Sequence, residues 1–388
     1  MEMKILSISI ILWFSIMFGS FVHGDTKDGD GINRLESLFV IPQSSLVVGN
    51  CATEPAGSIR FWSLEDGKLK HVIKLDVREW AHSLTISHDG NSIVVSLLKS
   101  NEIGCYSIKD KKWLWKTKWI EKSVTGNSIQ FTADDRRVIV LGFKNSVQFD
   151  ARTGSILKKR EDASRFSGGH SLGSVPLMTL SSSGRYAAVW QGRLEHNEWS
   201  PKAVFENKWA VIWDLEESKI IADVGGKVTR YKNCGGTFDP TGKYLLLGSM
   251  DGHIRVWAIA DQTMVKEWQV YSSERKTPFD SDAAPYAISS MIFSSDGRLL
   301  ATMGSDKVPS TANIKIWDYS NNKLVHEFDD VTRIMGLCNV YPMAFGPEGK
   351  TFAFEKKGQL CVYETGTWKE EWCVDSWPEG KKGIDERE

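Results

Sequence analysis

Short apolar runs, such as Ser83-Leu84-Thr85-Ile86, Tyr244-Leu245-Leu246-Leu247 and Met291-Ile292-Phe293, are separated by polar turns along almost the whole chain. Their brevity and their β-branched and aromatic content predict strands rather than helices. The turns repeat as well: Ser87-His88-Asp89-Gly90, Thr132-Ala133-Asp134-Asp135, Ser181-Ser182-Ser183-Gly184, Asp239-Pro240-Thr241-Gly242, Ser294-Ser295-Asp296-Gly297 and Gly346-Pro347-Glu348-Gly349. Each is a composition that reverses the chain tightly between antiparallel strands. Only Pro42-Gln43-Ser44-Ser45, in the first unit, departs from it. Downstream of every turn come two strands, the second with an aromatic near its end: Trp62, Tyr106, Phe149, Trp213, Trp257, Trp317 and Tyr363. A Gly/Asn/Lys turn follows, as in Glu65-Asp66-Gly67-Lys68 or Ser320-Asn321-Asn322-Lys323, and then a fourth strand.

The aromatics recur at roughly 43–46 residues, the length of one four-stranded propeller blade. The longer gaps from Phe149 to Trp213 and from Trp257 to Trp317 read as insertions. The expected fold is all-β, a seven-bladed β-propeller of four-stranded antiparallel blades. Stacked repeats also explain how 388 residues form one unit instead of several domains.

Residues 34 to 374 resemble a WD-repeat propeller. Trp213-Asp214 and Trp317-Asp318 supply the dipeptide that names the family, and Gly169-His170 supplies the partner pair ahead of the fourth unit. The other units end in Trp62-Ser63, Tyr106-Ser107, Phe149-Asp150, Trp257-Ala258 and Tyr363-Glu364. Of the family's His, Ser/Thr, Trp and Asp hydrogen-bond network, blade 5 offers Ser249, Asp251 and Trp257 but no preceding His. A second resemblance runs through the outer strands. The segment from Cys105 to Trp115 is similar to repeats of quinoprotein-type propellers, with Trp268 and Trp372 in related places. That resemblance implies the alternative function of a ligand-binding or oxidoreductase propeller with a pocket at the central channel.

The N-terminus reads as a secretory signal peptide over residues 1–24. Lys4 precedes an apolar run from Ile5 to Val22, and Val22-His23-Gly24 offers a cleavage site before the polar linker 25–33. An uncleaved anchor is the other reading, and either one places the propeller, residues 34–375, outside the cytoplasm. A charged tail, 376–388, follows. Lys plus Arg (48) nearly equals Asp plus Glu (49), and the balance survives removal of a leader that carries one charge of each sign. Nothing in it favours nucleic acid. The expected molecule is a monomeric ring with no membrane contact beyond the leader.

An oxidising compartment changes how the six cysteines read. Cys51, Cys105, Cys234, Cys338, Cys361 and Cys373 show no Cys-x-x-Cys spacing, so no metal site is expected. Cys361 and Cys373, on the last two strands, are a disulfide candidate if Glu364 faces Glu370. Six buried thiols are the alternative. Such a cross-link would pin a ring that begins on an inner strand and ends on an outer one, with no strand exchanged between first and last blades.

Gly169-His170-Ser171-Leu172-Gly173 matches the nucleophile elbow G-x-S-x-G but lacks a preceding buried strand and a following helix. The histidines His82, His196 and His253 are expected on loops. No phosphate loop, dinucleotide fingerprint, zinc-protease motif or N-x-S/T sequon occurs. No cofactor and no catalytic residue are therefore expected.

The long connections carry the functional expectation instead. Gln191 to Asn207, Ser305 to Asn313 and Ser272 to Pro285 should share one rim, joined by Glu161 to Gly173, and rims of rigid scaffolds commonly bind. The partner-binding candidates are Arg193, His196, Glu198, Trp199, Arg275, Lys276, Tyr286 and Lys307, which mix charge with aromatic surface. The expectation is a non-enzymatic scaffold that takes a protein or peptide over blades 4–6. A fluorophosphonate probe should accordingly leave Ser171 unmodified, as read by peptide mass spectrometry; stoichiometric labelling there would establish a nucleophile.

Overall fold

A computed structural model describes residues 35–376, less 52–56, 77–78, 80, 98, 119–127, 142–145, 161–175, 192–207, 218, 226–232, 250–251, 272–287, 305–310 and 333–341. By contact the chain divides into Met1–Ile32 and Asn33–Glu388, and the first unit lies outside the described residues. So do Gly169-His170, Ser171, Asp251 and all eight rim candidates. Among the described residues no helix is long and apolar enough to cross a membrane.

The fold is a seven-bladed β-propeller. Seven four-stranded antiparallel sheets each keep their strands in chain order, over residues 35–74, 81–118, 128–160, 176–225, 233–269, 290–332 and 343–375. Their first strands neighbour one another around the ring, and the seventh, Met343–Phe345, lies beside the first, Leu35–Val40. Among the described residues no strand is exchanged between these two blades. The blade 6 insertion is shorter than expected, because its third strand already begins at Thr311. His82 and His253 prove to be strand residues, in Ala81–Ile86 and at the head of His253–Ala258.

The core is divided into seven apolar wedges, one at each junction between blades. Ile59, Phe61, Leu84 and Val95 join blades 1 and 2, while Leu38, Trp62, Ala353 and Leu360 close blade 7 onto blade 1. Because both faces of a middle strand are covered, these strands are apolar on both sides. In blade 1 the strand Ser58–Ser63 is buried throughout, whereas half of the outer strand Leu69–Lys74 is exposed. Lysines stud the exposed outer edges, at Lys70 and Lys74, Lys112 and Lys116, and Lys158 and Lys159, which discourages pairing with another chain.

The recurrent aromatics are all buried, and each sits at the same irregularity. At Trp62, Tyr106, Phe149, Trp213, Trp257, Trp317 and Tyr363 the register to the outer strand slips by one residue, a β-bulge. The aspartate after the aromatic has a local task. Asp150, Asp214 and Asp318 each accept backbone N–H groups two or three residues on, capping the turn to the outer strand. Ser63 and Ser107 do the same with hydroxyls.

One face of the ring is sealed by nested turns. In all seven blades the turn between first and second strands holds a left-handed residue: Gln43, Gly90, Asp135, Gly184, Gly242, Gly297 and, next to a second one at Glu348, Gly349. Gly90 shows why glycine suits the place, since a Cβ there would meet Pro42 O of the preceding blade at 2.5 Å. Asp135, a substitute, reaches back with its carboxylate to the N–H groups of His88 (2.8 Å) and Asp89 (2.9 Å).

A second interlock joins some outer strands to the next blade. Trp115 donates Nε1–H to Ala151 O (2.8 Å), and Trp372 donates to Leu64 O (2.8 Å). Both rings cover a glycine of the neighbouring turn, Gly154 and Gly67. Trp268 does not repeat this; it falls two residues further along its strand, opposite Ile254, beside Tyr319. Trp372 spans the join between the chain's last and first blades, backed by Glu355 Oε2, which accepts from Leu35 N (2.8 Å). Trp372→Ala should therefore cost about 2–4 kcal/mol of unfolding free energy by urea titration, from lost packing and an orphaned carbonyl. A change below about 0.5 kcal/mol would mean that the ring closes without this indole.

Candidate functional site

Sheet topology decides which connections meet. With strands in order and antiparallel, links from second to third strand emerge on the same face as links from one blade to the next. The strand ends that flank 192–207, 272–287 and 305–310 therefore lie on one rim, opposite the nested turns.

The described residues show what holds the base of that rim over blades 5 and 6. Tyr271, fully buried, ends the described chain before 272–287, and its hydroxyl lies 2.9 Å from Thr302 O and 3.0 Å from Asn313 O. Its ring presses on Gly304, where a Cβ would stand 2.6 Å away. Lys315, also buried, places Nζ 4.7 Å from the centre of the Tyr271 ring and donates to Val270 O (3.1 Å). The returning chain is fixed at Ile288, whose N–H donates to Ser249 O (3.3 Å).

This brace includes a partner for the blade 6 tryptophan that sequence inspection missed. Trp317 donates Nε1–H to Thr302 Oγ1 (3.2 Å), with the Tyr271 hydroxyl 3.3 Å from the same oxygen. In blade 5 Ser249 does not serve Trp257 in this way. Ser249 Oγ accepts instead from Arg255 Nη1 (2.6 Å), and Arg255 is paired with Glu267 (2.7 Å). A threonine two residues before Gly304 was the available signal, but only tertiary contact brings Tyr271 to it.

A second feature lies on the side of the ring. Blades 6 and 7 enclose an open cleft of about 600 Å³ lined by His326, Phe328, Asp329, Lys356, Tyr363, Trp368 and Glu370 among others. His326 and Trp368 stack in parallel, with planes 6° apart and centroids 5.0 Å apart. Phe328 lies 4.8 Å from Tyr363 and 5.9 Å from Trp368, centre to centre. The Tyr363 hydroxyl donates to Glu370 Oε2 (3.0 Å). Burial, reinforced by that carboxylate, pushes the phenol well above its usual range.

Cys361 and Cys373 are joined in a disulfide beside this cleft. They stand directly opposite each other, although the register differs from the one expected: Glu370 faces Tyr363, not Glu364, and the bulge at Glu371 restores the alignment by Trp372. The cross-link ties together the two strands that supply Tyr363 and Glu370, an effect worth roughly 2–3 kcal/mol for a short loop. Glu370 lies within 4.8 Å of both sulfurs, which are bonded to each other and so offer no thiolate. Cys105 is a free buried thiol, its pKa pushed up to about 12 by burial, which keeps it unreactive.

No model of a known protein family matches the chain, and a search of curated proteins finds no match.

Burial lowers the pKa of His326, opposed by the nearby Glu327. A histidine depressed in the folded state stabilises the fold in its neutral form, so this contribution is complete above the unfolded pKa of about 6.5 and is lost as pH falls through the folded value. His71, lowered mainly by burial, acts in the same direction. His326→Phe, which keeps an aromatic ring against Trp368, should flatten the decline in stability below about pH 6.5 in urea titrations. Identical slopes for the two proteins would show that His326 is protonated without penalty.

Proposed function

We propose that the protein is a non-enzymatic WD-repeat scaffold of an extracytoplasmic compartment, which captures a protein or peptide on the rim of blades 4–6. The observation that carries this reading is the asymmetry of the two faces. On one, tight turns pack against the turn of the preceding blade; on the other lie the strand ends from which the long segments 192–207, 272–287 and 305–310 depart. At blades 5 and 6 the rim stands on a buried polar brace of Tyr271, Thr302, Asn313 and Lys315. Loops rooted in a stiff base lose little conformational freedom at the base when they bind.

Arg193, His196, Glu198 and Trp199 on one segment, with Arg275, Lys276, Tyr286 and Lys307 on the others, provide the indole, phenol and guanidinium groups that anchor interfaces most often. The leader sequence supports the extracytoplasmic setting, and the Trp213-Asp214 and Trp317-Asp318 dipeptides support the WD-repeat assignment. The tested consequence is capture. Trp199→Ala combined with Arg193→Ala should reduce recovery of a co-purifying partner from the envelope fraction at least about tenfold, with an unchanged thermal midpoint. A full recovery profile with the double variant would remove the rim as the binding surface. Turnover of a substrate, or a bound chromophore in the absorbance spectrum, would favour the oxidoreductase reading instead.

A further inference from the structure

The turn from third to fourth strand carries a left-handed residue five positions after the recurrent aromatic: Gly67, Lys111, Gly154, Gln262 and Asn322 in blades 1, 2, 3, 5 and 6. In blade 7 that residue is Trp368, with φ of 57°. A bulky side chain there opposes the backbone by about 1–3 kcal/mol, and strain of this kind is kept where surroundings or function require it. The same junction inverts the interlock seen elsewhere. Trp115 stands opposite Cys105 and Trp372 opposite Val362, each covering a glycine of the next blade; in blade 6 the equivalent place, opposite Ile316, holds His326. The indole therefore comes from the turn itself. Half-buried against His326, it forms one end of the lateral cleft.

The polar groups around that indole point to a ligand. Glu370 is exposed, and its carboxylate is oriented by the Tyr363 hydroxyl on Oε2. On the facing strand Glu327 and Asp329 are both held by Asn313 Nδ2, at 2.8 and 2.9 Å. Lys356 and Lys357 stand at the opposite end of the cleft, at the hairpin leading into Gln359–Glu364. The aromatic end thus pairs an indole with an oriented carboxylate, and burial disfavours a positive charge on His326 beside it. A planar cation that stacks and also donates in a fork fits this arrangement better than a compact ammonium. The lysine end suits acceptor groups such as backbone carbonyls or a carboxylate.

We propose that the cleft between blades 6 and 7 binds an extended peptide segment through an arginine, its guanidinium lying on the Trp368 indole and donating to the Glu370 carboxylate. None of the residues that line this cleft belongs to the segments 192–207, 272–287 and 305–310, so its test uses other variants. The Cys361–Cys373 disulfide fixes the two strands that present Tyr363 and Glu370 before the peptide arrives.

The probe is a heptapeptide library with randomised flanks around a fixed central arginine, screened beside the same library with citrulline, which keeps the shape and removes the charge. Labelled full-length protein should select arginine peptides and bind their citrulline counterparts about tenfold more weakly or worse. Glu370→Gln should weaken binding about tenfold. Trp368→Gly should do likewise; glycine occupies the left-handed position freely, and thermal unfolding confirms that the ring is intact. Equal affinity for arginine and citrulline peptides, unchanged affinity in both variants, or no selection from the arginine library would each overturn the proposal.

Discussion

Closure of the ring is the constraint from which the rest of the structure follows. A four-stranded sheet alone leaves two apolar faces in water, and each blade buries both only because it has a neighbour on either side. Seven blades need seven wedges of side chains. Here the seventh is made between blades 7 and 1, which share no strand among the described residues. Its holding groups are named: the apolar set of Leu38, Trp62, Ala353 and Leu360, the Trp372 indole on Leu64 O, and the Glu355 carboxylate on Leu35 N. The strand that carries Trp372 is also the one tied by the disulfide, so the edge most exposed to fraying is both covalently held and locked to blade 1.

The same geometry separates stability from recognition. Tight turns with left-handed residues nest on one face, where those of blades 2–7 each pack against the turn before. Chain length accumulates on the other face, because links between second and third strands and between blades can lengthen without disturbing a wedge. The buried brace at Tyr271, Thr302 and Lys315 marks where a long connection needs a firm root. Buried polar groups are costly unless paired, and these are paired with backbone carbonyls of two blades.

Departures from the repeat are as informative as the repeat. Tryptophan on glycine recurs at the junctions between blades 2 and 3 and between blades 7 and 1, which reads as plain packing. Between blades 6 and 7 histidine takes the place of the tryptophan and tryptophan that of the glycine. The junction does not close as tightly and a cleft remains. Strained backbone, an oriented carboxylate and a cross-linked wall converge on this junction.

Much of the architecture was legible in the chain because its determinants are local. Ser/Thr/Asp-x-x-Gly turns, β-branched runs and an aromatic every blade each act within a few residues, so their period counts the blades and orders the strands. The pairing of Cys361 with Cys373 was only half legible: the spacing allowed it, but the bulge at Glu371 decides the register, and bulges arise from twist within a sheet. The Trp317, Thr302 and Tyr271 contact, the placement of His82 and His253 on strands, and the inverted stack of His326 on Trp368 were not legible at all. Each joins residues of different strands or blades whose apposition depends on how sheets rotate against one another. The sequence by itself determined the number, kind and order of sheets; tertiary structure alone decided how the junctions pack and that a cleft is left between blades 6 and 7, since that depends on side-chain volumes meeting across a gap that no local pattern encodes.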